Sequence, residues 1–183
     1  PEMYPEGFAT RIVPAGAAEG LETDFRPHFF GGVATVCCKL FTQSGADIAC
    51  FGEKDYQQLR VVTQMVRDLN LPLEIVGVET VREPDGLAMS SRNRYLSADE
   101  RARAVTIHTV IRAVAAAAAK GRGVDKAIEA GRKALADAGF RQVDYIEVRD
   151  ALTLKSWERK SGRPGRVLAA AWLGQTRLID NVA

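Results

Sequence analysis

The stretch from Asp47 to Val81 constrains the fold most. It opens with "DIACFGEKD", a short apolar run bounded by charge, which predicts a buried strand over residues 47–51 that turns sharply at Gly52. "YQQLRVVTQMVRDLNL" follows, with Leu59, Val62, Met65, Val66 and Leu69 three and four residues apart, the spacing of one apolar helix face, ended by Asn70 and Pro72. "LEIVGVETV" is then a second apolar strand. Strand, helix and strand at these lengths form a βαβ unit, which implies parallel strands with helices on the sheet's faces. Upstream, residues 9–13 alternate and stop at Pro-Ala-Gly, predicting a further strand, and "GGVATVCCKLFTQSG" is apolar nearly all round, predicting a buried helix.

Beyond Tyr95 the pattern changes. "SADE" is a capping-box sequence with Ser97 as N-cap and Glu100 reaching back, and it opens a helix running to about Lys120, where "GRG" breaks it. A second helix covers about residues 124–137, and "VDYIEVRD", "RVLAAAWLG" and "TRLIDN" read as strands. Helices followed by strands without crossovers indicate a small α+β unit with an antiparallel sheet. The fold class is therefore α/β: a partial, Rossmann-like parallel sheet in residues 1–95 and a small α+β domain in residues 96–183.

Almost half of the 183 residues are apolar, enough for a sizeable core. The formal charge of +2 is interspersed along the chain, leaving no electrostatic footprint for a nucleic-acid duplex or an anionic membrane. Cys37, Cys38 and Cys50 are odd in number and lack metal-ligand spacing, so they are expected to be buried and reduced, as in a cytoplasmic protein. No apolar stretch looks long enough to cross a bilayer, and "PEMYPEGFATRI" lacks the basic and apolar regions of a signal peptide.

Two loops carry the candidate chemistry. In parallel α/β sheets ligands sit beyond the carboxyl ends of the strands, where "FGEKD" and "PDGLAMSSR" fall, so the two are expected to face one crevice near a hinge. Gly52 permits close backbone approach, Lys54 supplies a point charge and Arg92 a planar fork, a set that suits a polyphosphate. Ser90 and Ser91 add donors to anionic oxygen. Plainer roles stand beside these. The Ser/Arg loop can be a solvated turn, Lys54 a surface ion-pair member, and Met89 either core or the floor of a base. Asp55 and Gln58 also match a capping box.

"FGEKDYQQL" together with "VREPDGLAMSSRNRYLS", their separation, the "MYPEGFAT" start and the "AAWLGQTRLIDN" end resemble the pantothenate synthetase (pantoate:β-alanine ligase) family of the nucleotidylyltransferase superfamily. The "MSSR" segment is similar to the "KMSKS" loop of class I aminoacyl-tRNA synthetases. The resemblance implies ATP-dependent condensation of pantoate with β-alanine through a pantoyl adenylate, with Mg²⁺ accompanying ATP, in a cytoplasmic homodimer. It implies that Gly52, Glu53, Lys54 and Asp55 lie along ATP, that Val81 contacts the adenine side, and that Met89, Ser90, Ser91 and Arg92 close over base and phosphates. It further implies that Lys54 and Arg92 are the catalytic donors and that Gln58 contacts pantoate. No metal ligand in this chain is implied.

Two departures stand out. "RPHFFGGV" displaces the family's histidine by one position, so His28 is treated as structural. The family's His-x-Gly-His motif is absent, so the chain resembles the C-terminal two thirds of the enzyme and is expected to be inactive alone. Alternatives are another adenylate-forming or nucleotidyl-transferring enzyme, or a non-catalytic nucleotide or RNA binder using Arg92, Arg94, Arg101 and Arg103. The last lacks stacking aromatics beyond Tyr95.

Overall fold

A parallel pair of strands joined by a helix forms where the spacing requires it. In the computed structural model, which describes residues 2–183, β1 (Ile48–Gly52) pairs in parallel with β2 (Glu74–Val78), in register from Ile48 opposite Glu74 to Gly52 opposite Val78. The crossover is α3 (Tyr56–Asp68), which lies beside α2 (Phe29–Ser44); a single turn, α1 (Glu22–Phe25), precedes them. Ala34 and Cys37 of α2 pack on Val62, Met65 and Val66 of α3, with Phe51 and Ile75 of the strands against that layer.

The strand face opposite that layer is not buried. Ile48 is 57% exposed and Cys50 is exposed, so β1 is apolar on both faces but covered on one. The expectation that all three cysteines are buried therefore fails at Cys50. Cys37 is buried and Cys38 half-buried, and all three are free thiols. Burial, with Cys38 next to it, pushes the Cys37 thiol up, which makes it a packing group rather than a nucleophile. Residues 9–13 are not a strand either. Ile12 N–H donates to Thr35 Oγ1 at 3.0 Å, so a side chain of α2 takes the bond that a neighbouring strand would have supplied.

The chain divides into two units, Pro1–Val78 and Glu79–Ala183, earlier than the boundary drawn near Tyr95. Residues 79–95 go with the second unit because Leu87 is buried in its core and Arg82 is paired to its last strand. That unit contains α4 (Ala98–Ala104), α5 (Thr106–Lys120), α6 (Val124–Asp137) and an antiparallel sheet, β3 (Phe140–Asp150), β4 (Gly165–Leu173) and β5 (Thr176–Val182), in the order β3-β4-β5. The capping box forms: Ser97 Oγ accepts from Glu100 N–H and Ser97 N–H donates to Glu100 Oε2.

Taken together, the helical run Ala98–Lys120 has the length and apolar character of a membrane span, contrary to the expectation of none. Its apolar residues already have a partner. Ile107, Val110, Ile111 and Val114 are buried against Leu135, Ile146, Val167, Ala169 and Leu178. This is the stripe of a core helix, broken from α4 at Val105.

Gly131 explains how closely α6 approaches α5. A Cβ there would stand 2.6 Å from Val110 Cγ1, inside the packed core. Helix propensity alone favours Gly131→Ala by about 1 kcal/mol. The contact reverses the sign: we expect Gly131→Ala to destabilise by about 1–3 kcal/mol in urea unfolding. Val110→Ala in the same chain should recover part of that loss; a stabilised Gly131→Ala variant would contradict the packing.

Candidate active site

At the carboxyl end of β1 the backbone leaves the strand through Gly52, with φ −65° and ψ 131°, a conformation open to any residue. What glycine contributes there is bare backbone, because a Cβ would meet nothing within 4 Å. Residues Glu53–Asp55 form a 3₁₀ turn and α3 begins at Tyr56. Asp55 is the N-cap residue of α3 but makes no side-chain capping bond, so the Asp55/Gln58 capping box suggested by the sequence does not form. Its carboxylate is instead 3.9 Å from Lys54 Nζ, a loose contact between a side chain 19% exposed and one half exposed. Gln58 is half-buried one turn into the helix, and its amide has no hydrogen-bond partner among the described residues. Its neighbour Gln57 has a structural role that the sequence did not suggest. Buried, it accepts from Glu22 N–H and donates to the Ala17 and Gly20 carbonyls, tying the segment before α1 to α3.

In the second unit, residues 81–89 form a short hairpin. Met89 N–H donates to Val81 O at 2.9 Å, Glu83 N–H donates to Leu87 O at 2.8 Å, and a turn at Pro84-Asp85 closes it with Gly86 N–H on Glu83 O. Val81 and Met89 are thus cross-strand neighbours, and they are 64% and 50% exposed. Met89 is therefore not a core residue; with Val81 it makes a small apolar surface suited to a flat ring. Directly after it, Ser90 Oγ accepts from Arg92 N–H, capping the 3₁₀ helix Ser91–Tyr95, and Asn93 fastens back to the Ala88 carbonyl. The Ser91 and Arg92 side chains are exposed and engage no partner among the described residues. Arg94 stacks on Tyr95 at 4.9 Å.

Nearby basic residues are differently employed. Arg101 holds Asp85 through two nitrogens, at 2.6 and 3.2 Å, and Arg103 pairs with Asp99. Arg101 and the Leu87 N–H hold the Asp85 carboxyl below the usual carboxylate range. Of the four arginines in the RNA-binding alternative, Arg101 and Arg103 are thus ion-paired, whereas Arg92 and Arg94 make no ion pair among the described residues.

Sequence reasoning did not single out the groups that hold the hairpin. Arg82 forms a fork with both oxygens of Asp180, at 2.8 and 2.9 Å, and His108 lies beside the same carboxylate with Nδ1 3.5 Å from Oδ2. Gly86, at φ +99°, lies against that imidazole so closely that a Cβ would be 2.8 Å from His108 Cδ2. The only sequence trace of this arrangement is a Pro-Asp-Gly turn and an Asp next to the chain's end. Among the described residues no three His, Cys, Asp or Glu side chains are grouped so that they could hold a metal ion.

The first unit is a parallel βαβ element with bare backbone and a lysine at its carboxyl end, and the second carries a hairpin loop of unused hydroxyl and guanidinium donors. Both suit a protein that handles an anionic, ring-bearing ligand. The chain belongs to the pantoate-beta-alanine ligase family, whose model matches residues 1–183. It is 58% identical over 180 residues to the pantothenate synthetase of Mesorhizobium japonicum, covering 98% of this chain and 63% of that protein. The crystal structure of pantothenate synthetase from Thermus thermophilus superposes with a TM-score of 0.87 at 45% identity, over 99% of this chain and 66% of that one. A Francisella tularensis pantoate-beta-alanine ligase, complexed with beta-gamma ATP and beta-alanine, gives 0.77 at 29% identity, over 98% and 60%. The chain thus spans just under two thirds of the length of these relatives.

Burial, with Arg82 and Arg112 nearby, holds the His108 imidazole below its ordinary pKa of 6.5 in spite of Asp180. The unfolded chain then binds the proton more tightly. Stability contributed by neutral His108 is complete above pH 6.5 and falls as the pH drops towards the lower folded value. We expect the urea midpoint to fall between about pH 7.5 and about pH 5, and to fall less in His108→Asn. Equal slopes in the two proteins would show that His108 does not titrate as described. The depressed carboxyls of Asp85 and Asp150 act only at lower pH.

Proposed function

We propose that these 183 residues belong to a pantoate:β-alanine ligase, which makes pantothenate from pantoate and β-alanine with ATP as the energy source. The observation that carries this reading is 58% identity along nearly the whole chain to a pantothenate synthetase. The groups assigned to the ligands support it: Gln58, Ser91 and Arg92 are polar side chains on ordered elements with no partner inside their own units.

Two steps make up the reaction. A pantoate carboxylate oxygen attacks the α-phosphorus of ATP and pyrophosphate leaves. The β-alanine amine then attacks the acyl carbon of pantoyl adenylate, losing a proton as the amide forms, and AMP leaves. Neither step needs a protein nucleophile. Two anions must be brought together and negative charge must be stabilised as it shifts on the phosphates, so positioned cations carry the rate. We assign that role to Lys54 and Arg92. Gly52, Glu53 and Asp55 lie along the nucleotide, Val81 and Met89 flank the adenine, Ser90 and Ser91 donate to phosphate, and Gln58 binds pantoate. Mg²⁺ would accompany ATP and would offset negative charge on its phosphates. The complete enzyme works as a homodimer in the cytoplasm, with both the Pro1–Val78 unit and the hairpin loop of the Glu79–Ala183 unit contributing to nucleotide binding.

The test uses the full-length enzyme containing these residues. Lys54→Ala or Arg92→Ala should lower pyrophosphate release by about 10² or more with little change in melting temperature. Gln58→Ala should raise the KM for pantoate far more than that for ATP. Retention of most activity by either cation variant would remove that residue from the mechanism, and equal effects of Gln58→Ala on both substrates would remove the pantoate contact.

A further inference from the structure

We propose that Arg82 and Asp180 are positioning residues: the pair fixes the hairpin from which the Ser90–Arg92 loop hangs, and so sets where its phosphate donors stand. The inference rests on the reading above that this loop takes ATP.

Arg82 follows Val81 in the hairpin's first arm and bridges to Ala88 in the second, one residue before Met89. Its guanidinium is fully committed away from the loop tip. One terminal nitrogen donates to Asp180 Oδ2 at 2.8 Å and to Gly86 O at 3.0 Å; the other donates to Asp180 Oδ1 at 2.9 Å and to Asn181 O at 3.1 Å. The two nitrogens therefore join the hairpin's turn to the last strand, 98 residues later in the chain. Asp180 has a side chain only 1% exposed, and its Oδ1 also accepts from Asn181 N–H at 2.8 Å. A buried carboxylate needs such compensation, so the hairpin is drawn to β5 by the charge it neutralises.

Two other anchors are weaker guides. Leu87 is held in the core by non-directional packing, and the Asp85–Arg101 pair is solvent-exposed. The planar fork constrains the hairpin's direction, since it must meet two carboxylate oxygens and two carbonyls at once. A lysine offers the charge without that geometry. From the fixed arm, Ala88 O receives Asn93 Nδ2 at 3.1 Å, which carries the orientation into the 3₁₀ helix bearing Ser91 and Arg92.

The experiment compares wild type, Arg82→Lys, Asp180→Asn and Arg92→Ala, each in the full-length enzyme that contains these residues. Amide hydrogen exchange is read over residues 88–95 and over residues 107–114 of α5, and ATP is titrated by calorimetry. In Arg82→Lys and Asp180→Asn, exchange over residues 88–95 should rise about tenfold or more while α5 keeps its protection, and ATP should bind about tenfold more weakly. Arg92→Ala should weaken ATP binding without faster exchange. Wild-type exchange over residues 88–95 in the first two variants overturns the inference, as does an equal rise over α5, which is what a purely structural role produces. Should Asp180→Asn not fold, Arg82→Lys, which keeps a cation beside the carboxylate, decides the matter. If ATP binding is absent or indifferent to Arg92→Ala, the ATP reading fails, and the exchange data still judge the positioning.

Discussion

A carboxylate shielded from water organises the second unit. Asp180 lies on β5 with almost no exposure, and an ionised group in that setting must be paired and hydrogen-bonded or it destabilises the fold by several kcal/mol. Arg82 and the Asn181 N–H meet that demand, and in doing so Arg82 brings the 81–89 hairpin down on the sheet. Gly86 can then lie flat on His108 only because it has no Cβ, and Leu87 enters the core. The arrangement leaves Val81, Met89, Ser91 and Arg92 facing outward, with the support behind them and the donors in front.

The first unit reaches a comparable result by different means. There the parallel strands and the α3 crossover fix the direction of the chain, and bare backbone at Gly52 followed directly by a helix start brings peptide N–H groups and Lys54 to the strand's carboxyl end. The absence of an Asp55 capping bond leaves Gln58 unengaged, whereas Gln57, one residue earlier and about 100° round the helix, is consumed by the chain before α1. Adjacent glutamines thus have opposite fates. One rivets the fold, and the other is available to a ligand.

Charge is distributed in the same way. Arg82, Arg101 and Arg103 are spent on Asp180, Asp85 and Asp99, while Arg92 has no such partner within its unit. The run Arg92, Arg94, Arg101 and Arg103, which looks uniform in the sequence, therefore divides: Arg101 and Arg103 pair with carboxylates, Arg94 lies on Tyr95, and Arg92 has no side-chain partner among the described residues.

The sequence by itself determined what neighbouring residues settle among themselves. The βαβ order, the α3 stripe, the Ser97/Glu100 capping box and the three closing strands were legible because helical period, strand alternation and caps act over a few residues. Both candidate loops were legible too, through their glycines and donors and through a resemblance to one family. The tertiary structure decided the rest. It left residues 9–13 without a strand partner, exposed one face of β1 with Cys50 on it, moved the unit boundary from Tyr95 to Val78, and gave a helix of membrane length a core to pack on. It also joined Arg82 to Asp180, which no local pattern announces. A hydrogen bond between residues 98 apart depends on where the whole chain has been brought, and an isolated Arg or Asp looks the same in sequence whether it will be buried in a pair or left in water.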